Sequence, residues 1–197
     1  MKRLLFPIFL LLAACGYRVD GLDPITVCVP YVLGDHEGEL TDALAFALAR
    51  TANYRYVEDG GEWTLNAKIV GDRNDRIGYR YDRDPKSGKL RDNVIGIENR
   101  KNITVEVKVV KNSTGELVLG PQKIKASVDY DYDDPNSLID LSFVNPESSS
   151  RVTSIDFSLG QLDSVAAAGE DAIYPIYRLL AQRIVDGMIA AGDFDVD

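Results

Sequence analysis

Two stretches of strict alternation between apolar and polar residues determine the fold class of this chain. They are residues 63–70 and 103–109. Their apolar positions are Trp63, Leu65, Ala67 and Ile69 in the first stretch and Ile103, Val105, Val107 and Val109 in the second. Because side chains alternate between the two faces of a strand, each stretch predicts a strand with one apolar and one wet face. We therefore expect a sheet that is covered on one side only.

Two other stretches carry apolar residues at helical spacing. In the first, Leu40, Leu44 and Leu48 recur every four residues among alanines, which predicts a helix over residues 38–52. The second begins near Pro175, which is expected to start or kink the helix, and continues to about residue 191. Its apolar face consists of Ile173, Ile176, Tyr177, Leu180, Ile184, Met188 and Ala191. We expect these two amphipathic helices to cover the apolar face of the sheet.

The order of these elements predicts the architecture. A proline-bounded apolar run at residues 24–31 reads as a buried strand, and residues 116–128 form a hairpin with the strand before them. The expected fold is α+β, a two-layer sandwich of a four-stranded sheet with two helices on one face, in the order β-α-β-β-β-α. Two long connections, residues 71–96 and 129–160, are expected to be loops, and loops of that length often carry function.

The N-terminus has the pattern of an export signal. Lys2 and Arg3 precede the uncharged run Leu4–Leu12, which is too short to span a bilayer. Leu12-Ala13-Ala14-Cys15 resembles a bacterial lipobox, so we expect cleavage before Cys15 and acylation of its thiol. The predicted organisation is a signal peptide at 1–14, an acylated tether at 15–24, a single domain at 25–192 and an acidic tail at 193–197.

Composition excludes several classes of function. The formal net charge of −9 argues against general nucleic-acid binding, which relies on an excess of basic residues. With Cys15 acylated, Cys28 has no partner for a disulfide, and His36 is the only histidine, which we expect in a surface loop. Zinc sites and nucleophile–base triads need more such residues than the chain has. We therefore expect no enzyme activity, no metal and no cofactor.

The segment 72–91 is a cationic region within this acidic chain. Its basic residues are Arg73, Arg76, Arg80, Arg83, Lys86, Lys89 and Arg91, against four aspartates. Arginine forks bind phosphate well, so we take Arg73, Arg76, Arg80, Arg83, Lys89 and Arg91 as candidate ligands for an anionic glycolipid. We expect Arg80 and Arg83 to matter most, because Tyr79 and Tyr81 flank them. The alternative is a solvated loop whose charges pair with its own aspartates.

An acidic run at residues 129–134 raises the question of calcium. Its aspartates alternate as in an EF-hand loop, but position 6 is Asp134 instead of glycine and position 12 is Asp140 instead of glutamate. The other interpretation is a continuing strand, with Asp129, Asp131 and Asp133 on its wet face and the intervening tyrosines on the other. We favour the strand.

The chain also resembles a known family. The residues that carry this resemblance are Cys15-Gly16-Tyr17, the strand end Val29-Pro30-Tyr31 and Ile184-Val185 in the final helix, together with the order of elements. It resembles the LptE family of lipopolysaccharide-assembly lipoproteins. The resemblance implies a plug inside a large outer-membrane β-barrel translocon (LptD), lipopolysaccharide binding and no catalysis. By similarity to enterobacterial lipoproteins, Gly16 after the acylated cysteine favours the outer membrane, with the domain facing the periplasm.

Two other functions remain open from the sequence. Small α/β lipoproteins of this layout also serve as accessories or pilots of other envelope machines, such as secretion pores. An envelope hydrolase is disfavoured, because no nucleophile–base pair stands out. The outer-membrane protein that co-purifies with the chain distinguishes the translocon from the secretion pore.

Overall fold

The computed structural model describes residues 23–84, 87–134, 142–153 and 164–192. The predicted signal peptide at 1–14, most of the tether at 15–24 and the acidic tail at 193–197 lie outside these ranges, as does Asp140. Within them, no helix combines the length and apolar composition needed to cross a bilayer.

The described part of the chain is an α+β structure. Its strands are β1 (Ile25–Cys28), β2 (Tyr54–Val57), β3 (Trp63–Arg83), β4 (Leu90–Lys111), β5 (Leu117–Asp131), β6 (Ser142–Val144) and β7 (Arg151–Thr153). Its helices are α1 (Glu39–Ala49), α2 (Val165–Asp171) and α3 (Ile173–Gly192). Both predicted helices and all four predicted strands are confirmed, with shifted ends.

The main sheet has five strands, in the order β2-β1-β3-β4-β5, so the prediction of four was wrong. The missed strand is β2, which pairs in parallel with β1 after the chain crosses over through α1. Four residues, Tyr54 to Val57, are too few to show an alternation in the sequence. Since β1 also pairs in parallel with β3 while β3, β4 and β5 are antiparallel, the sheet is mixed.

The hydrophobic core lies between the helices and one face of this sheet. Leu40, Leu44 and Leu48 of α1 are fully buried, as the helical spacing predicts. The alternating apolar positions of β4 meet them from the sheet side, and the buried face of α3 completes the layer. That face consists of Ile176, Tyr177, Leu180, Ala181, Ile184, Val185 and Met188. The predicted coverage of one face of the sheet is confirmed.

Two strands extend far beyond this core. Strand β3 has 21 residues and β4 has 22, where the sequence predicted strands of less than half that length. At about 3.3 Å per residue β3 spans about 70 Å, whereas the 20 residues of α3 span about 30 Å. The helices therefore cover only one part of the β3–β4 hairpin, and its far end extends beyond them.

Candidate functional site

The candidate basic residues lie on the far half of the β3–β4 hairpin. Residues 71–96 were predicted to be a loop, but most of them belong to the antiparallel strands β3 and β4, which pair as far as Arg83 and Leu90 with several register shifts. Charged side chains hid the strand pattern, because they interrupt the apolar alternation by which a strand is recognised. The two strands are hydrogen-bonded to each other through their facing backbone groups, so the segment is an ordered arm.

The register of the hairpin gives its tip two unlike faces. Tyr81 lies opposite Val94, whereas Arg80 lies opposite Ile95, and residues opposite each other share a face. The open face, defined here as Tyr79, Tyr81, Arg83, Leu90 and Val94, is solvent-exposed, with Tyr79 at 56%, Tyr81 at 59% and Val94 at 55%. On the opposite face, called the covered face here, Asp82 is only 2% exposed, Ile95 is buried and Arg80 is half-buried, whereas Asn93 is exposed.

This geometry corrects the expectation for Arg80. Consecutive residues of a strand point to opposite faces, so Arg80 faces away from Tyr79 and Tyr81. Arg83 is the basic residue that shares their face, and it lies opposite Leu90 at the end of the hairpin. Of the pair Arg80 and Arg83, only Arg83 shares a face with the two tyrosines, and a role of either residue in ligand binding stays a prediction.

Asp82 organises the covered face of the tip. Its carboxylate accepts hydrogen bonds from Asn93 Nδ2 at 3.0 Å and from the backbone N–H of Arg83 at 2.9 Å. Arg91 Nη1 lies 3.7 Å from the same carboxylate. The hydrogen bond from Asn93, followed by that from Arg83 and the charge of Arg91, lowers the pKa of Asp82 below its ordinary value of 3.8, against the opposing effect of burial. Asp82 is therefore a fixed anion that holds the two strands together.

Part of the positive charge is neutralised within the hairpin, as the solvated-loop alternative predicted. Arg73 pairs with Asp75 at 2.8 Å, and Arg91 lies 3.7 Å from both Asp82 and Asp84. Among the described residues, however, neither Arg76 nor Lys89 has an ion pair within 4.0 Å, and both are exposed.

The exposed Arg83 donates from Nη1 to the carbonyl of Gly88 at 3.1 Å. In the part of the chain that the structure describes, no carboxylate lies within 4.0 Å of its guanidinium. Three of the six candidate residues, Arg76, Arg83 and Lys89, thus present their charge to solvent.

The sequence matches the model of the family described as LptE, Lipopolysaccharide-assembly, over residues 23–188. The chain belongs to the LptE family. This confirms the resemblance to the family, and it places the protein in lipopolysaccharide assembly. The N-terminal motif Cys15-Gly16-Tyr17 lies outside the matched residues. No curated protein matches the sequence.

Solved structures with similar folds include other lipoproteins. A putative lipoprotein from Caulobacter crescentus has 15% identity and a TM-score of 0.45, with 84% of this chain and 90% of that chain covered. The minor lipoprotein from Acinetobacter baumannii has 11% identity and a TM-score of 0.46, with 88% of this chain and 96% of that chain covered. The rare lipoprotein B from Shewanella oneidensis has 14% identity and a TM-score of 0.41, with 86% of this chain and 97% of that chain covered.

In this LptE-family chain, charged pairs that the sequence did not indicate join neighbouring strands of the main sheet. Arg100 of β4 donates to both carboxylate oxygens of Asp129 on β5, at 2.6 and 2.7 Å. This contact raises the pKa of Arg100 and lowers that of Asp129. Lys101, which is 7% exposed, pairs with Asp72 at 2.9 Å. Such pairs become visible only with the strand register, because the partners are 29 residues apart in the chain.

The acidic run at 129–134 continues β5 only as far as Asp131, so the strand interpretation is confirmed for Asp129 and Asp131 but not for Asp133, which lies beyond the strand. Asp129 and Asp131 are exposed, while Tyr132 is buried on the other side, as the strand interpretation predicted. In the described part of the chain, no group of three or more His, Cys, Asp or Glu side chains is arranged to hold a metal. Asp129 has a structural partner in Arg100, so its charge contributes to joining β4 and β5.

Proposed function

We propose that this protein is a non-catalytic outer-membrane lipoprotein that supports lipopolysaccharide assembly. After removal of residues 1–14, an acylated Cys15 anchors it, and residues 15–24 tether the domain on the periplasmic side. The domain plugs and supports an LptD-like β-barrel translocon, and the far half of the hairpin binds lipopolysaccharide. Membership of the LptE family supports the assembly role.

The observation that supports glycolipid binding is a set of three exposed cations on the far half of the hairpin. Among the described residues, Arg76, Arg83 and Lys89 have no carboxylate partner, in a chain of net charge −9. The phosphates and inner-core sugars of lipopolysaccharide offer the matching groups, since arginine and lysine form charge-assisted hydrogen bonds with phosphate. Arg73 and Arg91 are secondary contributors, because each must first leave an aspartate.

The test is a triple substitution, Arg76→Gln, Arg83→Gln and Lys89→Gln, with binding to purified lipopolysaccharide measured at low and moderate salt. Exposed charge contacts contribute about 0–1 kcal/mol each, so we expect a loss of up to about 3 kcal/mol and a weaker salt dependence. The charge-matched control replaces Lys68, Lys108 and Lys123, which are exposed on the polar face of the sheet, by glutamine. Equal losses in both triple variants would contradict the hairpin as the binding site.

Co-purification tests the barrel partner. We expect the full acylated chain, isolated from outer membranes in mild detergent, to bring down a large β-barrel protein in a fixed ratio. Recovery of a secretin ring instead would support the alternative role as a pilot of a secretion pore.

Substitution of Cys15 tests the anchor. Cys15→Ser removes the thiol that lipoprotein processing acylates, so the chain should lose its stable attachment to membranes. Mass spectrometry of the wild-type N-terminus should find acylated Cys15 as the first residue. An unmodified N-terminus at another residue would contradict the proposed anchor.

A further inference from the structure

The open face of the hairpin tip is an exposed apolar surface that the phosphate contacts above do not use. Tyr79, Tyr81, Leu90 and Val94 are each more than half exposed, with Leu90 at 62%. The other face of the same ribbon is covered at Asp82 and Ile95. The tip therefore has one exposed face that is largely apolar, whereas its other face is covered.

We propose that the open face of the tip docks onto the surface of a lipid bilayer. Tyrosine is suited to this position, because its ring is apolar and its hydroxyl stays hydrated, and it is enriched at membrane–water interfaces. Arg83 and Lys89 lie at the same end of the hairpin and complement anionic headgroups. This inference goes beyond glycolipid binding in two respects. It concerns the apolar side chains of the open face, and the binding partner is the surface of a bilayer instead of a single glycolipid molecule.

Charge complementarity favours a lipid surface as the occupant. Residues 72–91 carry seven basic side chains against four acidic ones, while the whole chain has a net charge of −9. Of these basic residues, Arg83 and Lys89 are exposed at the apolar tip, whereas Arg73 and Arg76 lie farther along β3 towards the body. Asp92 is an exposed carboxylate of the same region, so we expect it to remain at headgroup level.

The backbone of the tip sets the depth of contact. In the described part of the chain, residues 79–83 and 90–96 pair only with each other, so both outer edges of this two-stranded ribbon carry backbone groups without a strand partner. Such groups cannot enter hydrocarbon without losing their hydrogen bonds to water. The tip therefore rests in the headgroup region and places only side chains at the acyl boundary.

The experiment compares two tryptophan reporters in the mature chain from residue 15, carrying Cys15→Ser so that acyl chains do not contribute. Tyr81→Trp reports on the tip, and Tyr174→Trp is the matched control, because both tyrosines are 59% exposed and Tyr174 lies on α3. Trp63 is present in both variants, so its emission contributes equally. Vesicles of phosphatidylethanolamine and phosphatidylglycerol carry quencher groups either near the glycerol or near the chain ends.

We expect the shallow quencher to reduce the emission of the Tyr81→Trp variant, the deep quencher to reduce it less, and neither to affect the Tyr174→Trp variant. The variant Tyr79→Ser with Tyr81→Ser should bind these vesicles at least about tenfold more weakly, whereas Tyr174→Ser should bind as the parent does. Stronger quenching by the deep group, equal quenching of both reporters or no quenching of either would overturn the proposal. Quenching in lipopolysaccharide micelles but not in phospholipid vesicles would also overturn it and would leave glycolipid binding standing.

Discussion

Asn93 donates a 3.0 Å hydrogen bond to Asp82 across the tip of the hairpin, between residues that are 11 positions apart in the chain. The acceptor is 2% exposed and also receives the backbone N–H of Arg83. Because these bonds favour the carboxylate, the folded hairpin holds Asp82 ionised at a pH where the unfolded chain begins to protonate it.

Acidification should therefore loosen the tip before it affects the core. The pKa of Asp82 is lower in the folded protein, so its contribution to stability is complete above the ordinary value of 3.8 and is lost as pH falls through the lower folded value. Hydrogen exchange of the amides at residues 79–83 should increase in this range. In Asp82→Asn the exchange of these amides should depend less on pH, and an unchanged dependence would contradict the role given to Asp82.

Tyr177 should titrate later than the exposed tyrosines. Burial raises the pKa of Tyr177 to about 12, helped by the negative charge of Asp35. The folded state then retains a proton that the unfolded state loses near pH 10, so stability falls as pH rises from about 10 to about 12. Alkaline titration of tyrosinate absorbance should show one late group that is absent in Tyr177→Phe. Loss of the late group in the exposed control Tyr174→Phe instead would contradict the assignment.

Leu180 tests the two-layer core. Its side chain is fully buried in the cluster formed by α3, α1 and the sheet. Leu180→Ala should lower the free energy of unfolding by about 2–5 kcal/mol, through lost burial and the cavity left behind. Leu117→Ala, at a half-exposed position on β5, should change it by less than about 0.5 kcal/mol in urea unfolding. Similar losses in the free energy of unfolding for the two variants would contradict the buried position of Leu180.

Much of the core could be predicted from the sequence because its signals are local. Leu44 belongs to a set of apolar residues at helical spacing, and Val105 belongs to a strand of alternating apolar and polar residues. Each pattern identifies the buried face of a single element, and both side chains are fully buried. The far hairpin could not be predicted, because charged residues interrupt the apolar alternation along its strands. The position of Arg80 depends on the register with Ile95, and the contact between Arg100 and Asp129 depends on the pairing of β4 with β5.

Substitution of Gly187 by alanine should stabilise the protein. It lies within α3, and a Cβ placed there would meet no atom within 4 Å. Alanine in a helix interior is favoured over glycine because less backbone entropy is lost on folding. Gly187→Ala should therefore raise the free energy of unfolding by about 0.5–1 kcal/mol, measured by thermal or urea unfolding. A loss of stability would mean that α3 packs more tightly at this position than the structure has it.

Gly96 should show the opposite behaviour, because it allows a close approach on the hairpin. A Cβ at this position would lie 2.6 Å from Cδ of Arg76 and would also overlap the hydroxyl of the buried Tyr132. Tyr132 joins the end of β5 to the hairpin through its N–H, which donates to the carbonyl of Ile97 at 3.1 Å.

Gly96→Ala should therefore displace Arg76 and Tyr132 and weaken the junction between the arm and the body. We expect faster hydrogen exchange at residues 94–99 and a loss of roughly 1–3 kcal/mol, typical of overpacking. A compensating variant separates the two contacts: Gly96→Ala with Tyr132→Phe removes the hydroxyl but leaves the ring. If the hydroxyl is the main obstacle, the double variant should recover part of the loss, whereas no recovery would assign the clash to the side chain of Arg76. A single Gly96→Ala variant as stable as the parent would contradict the close packing itself.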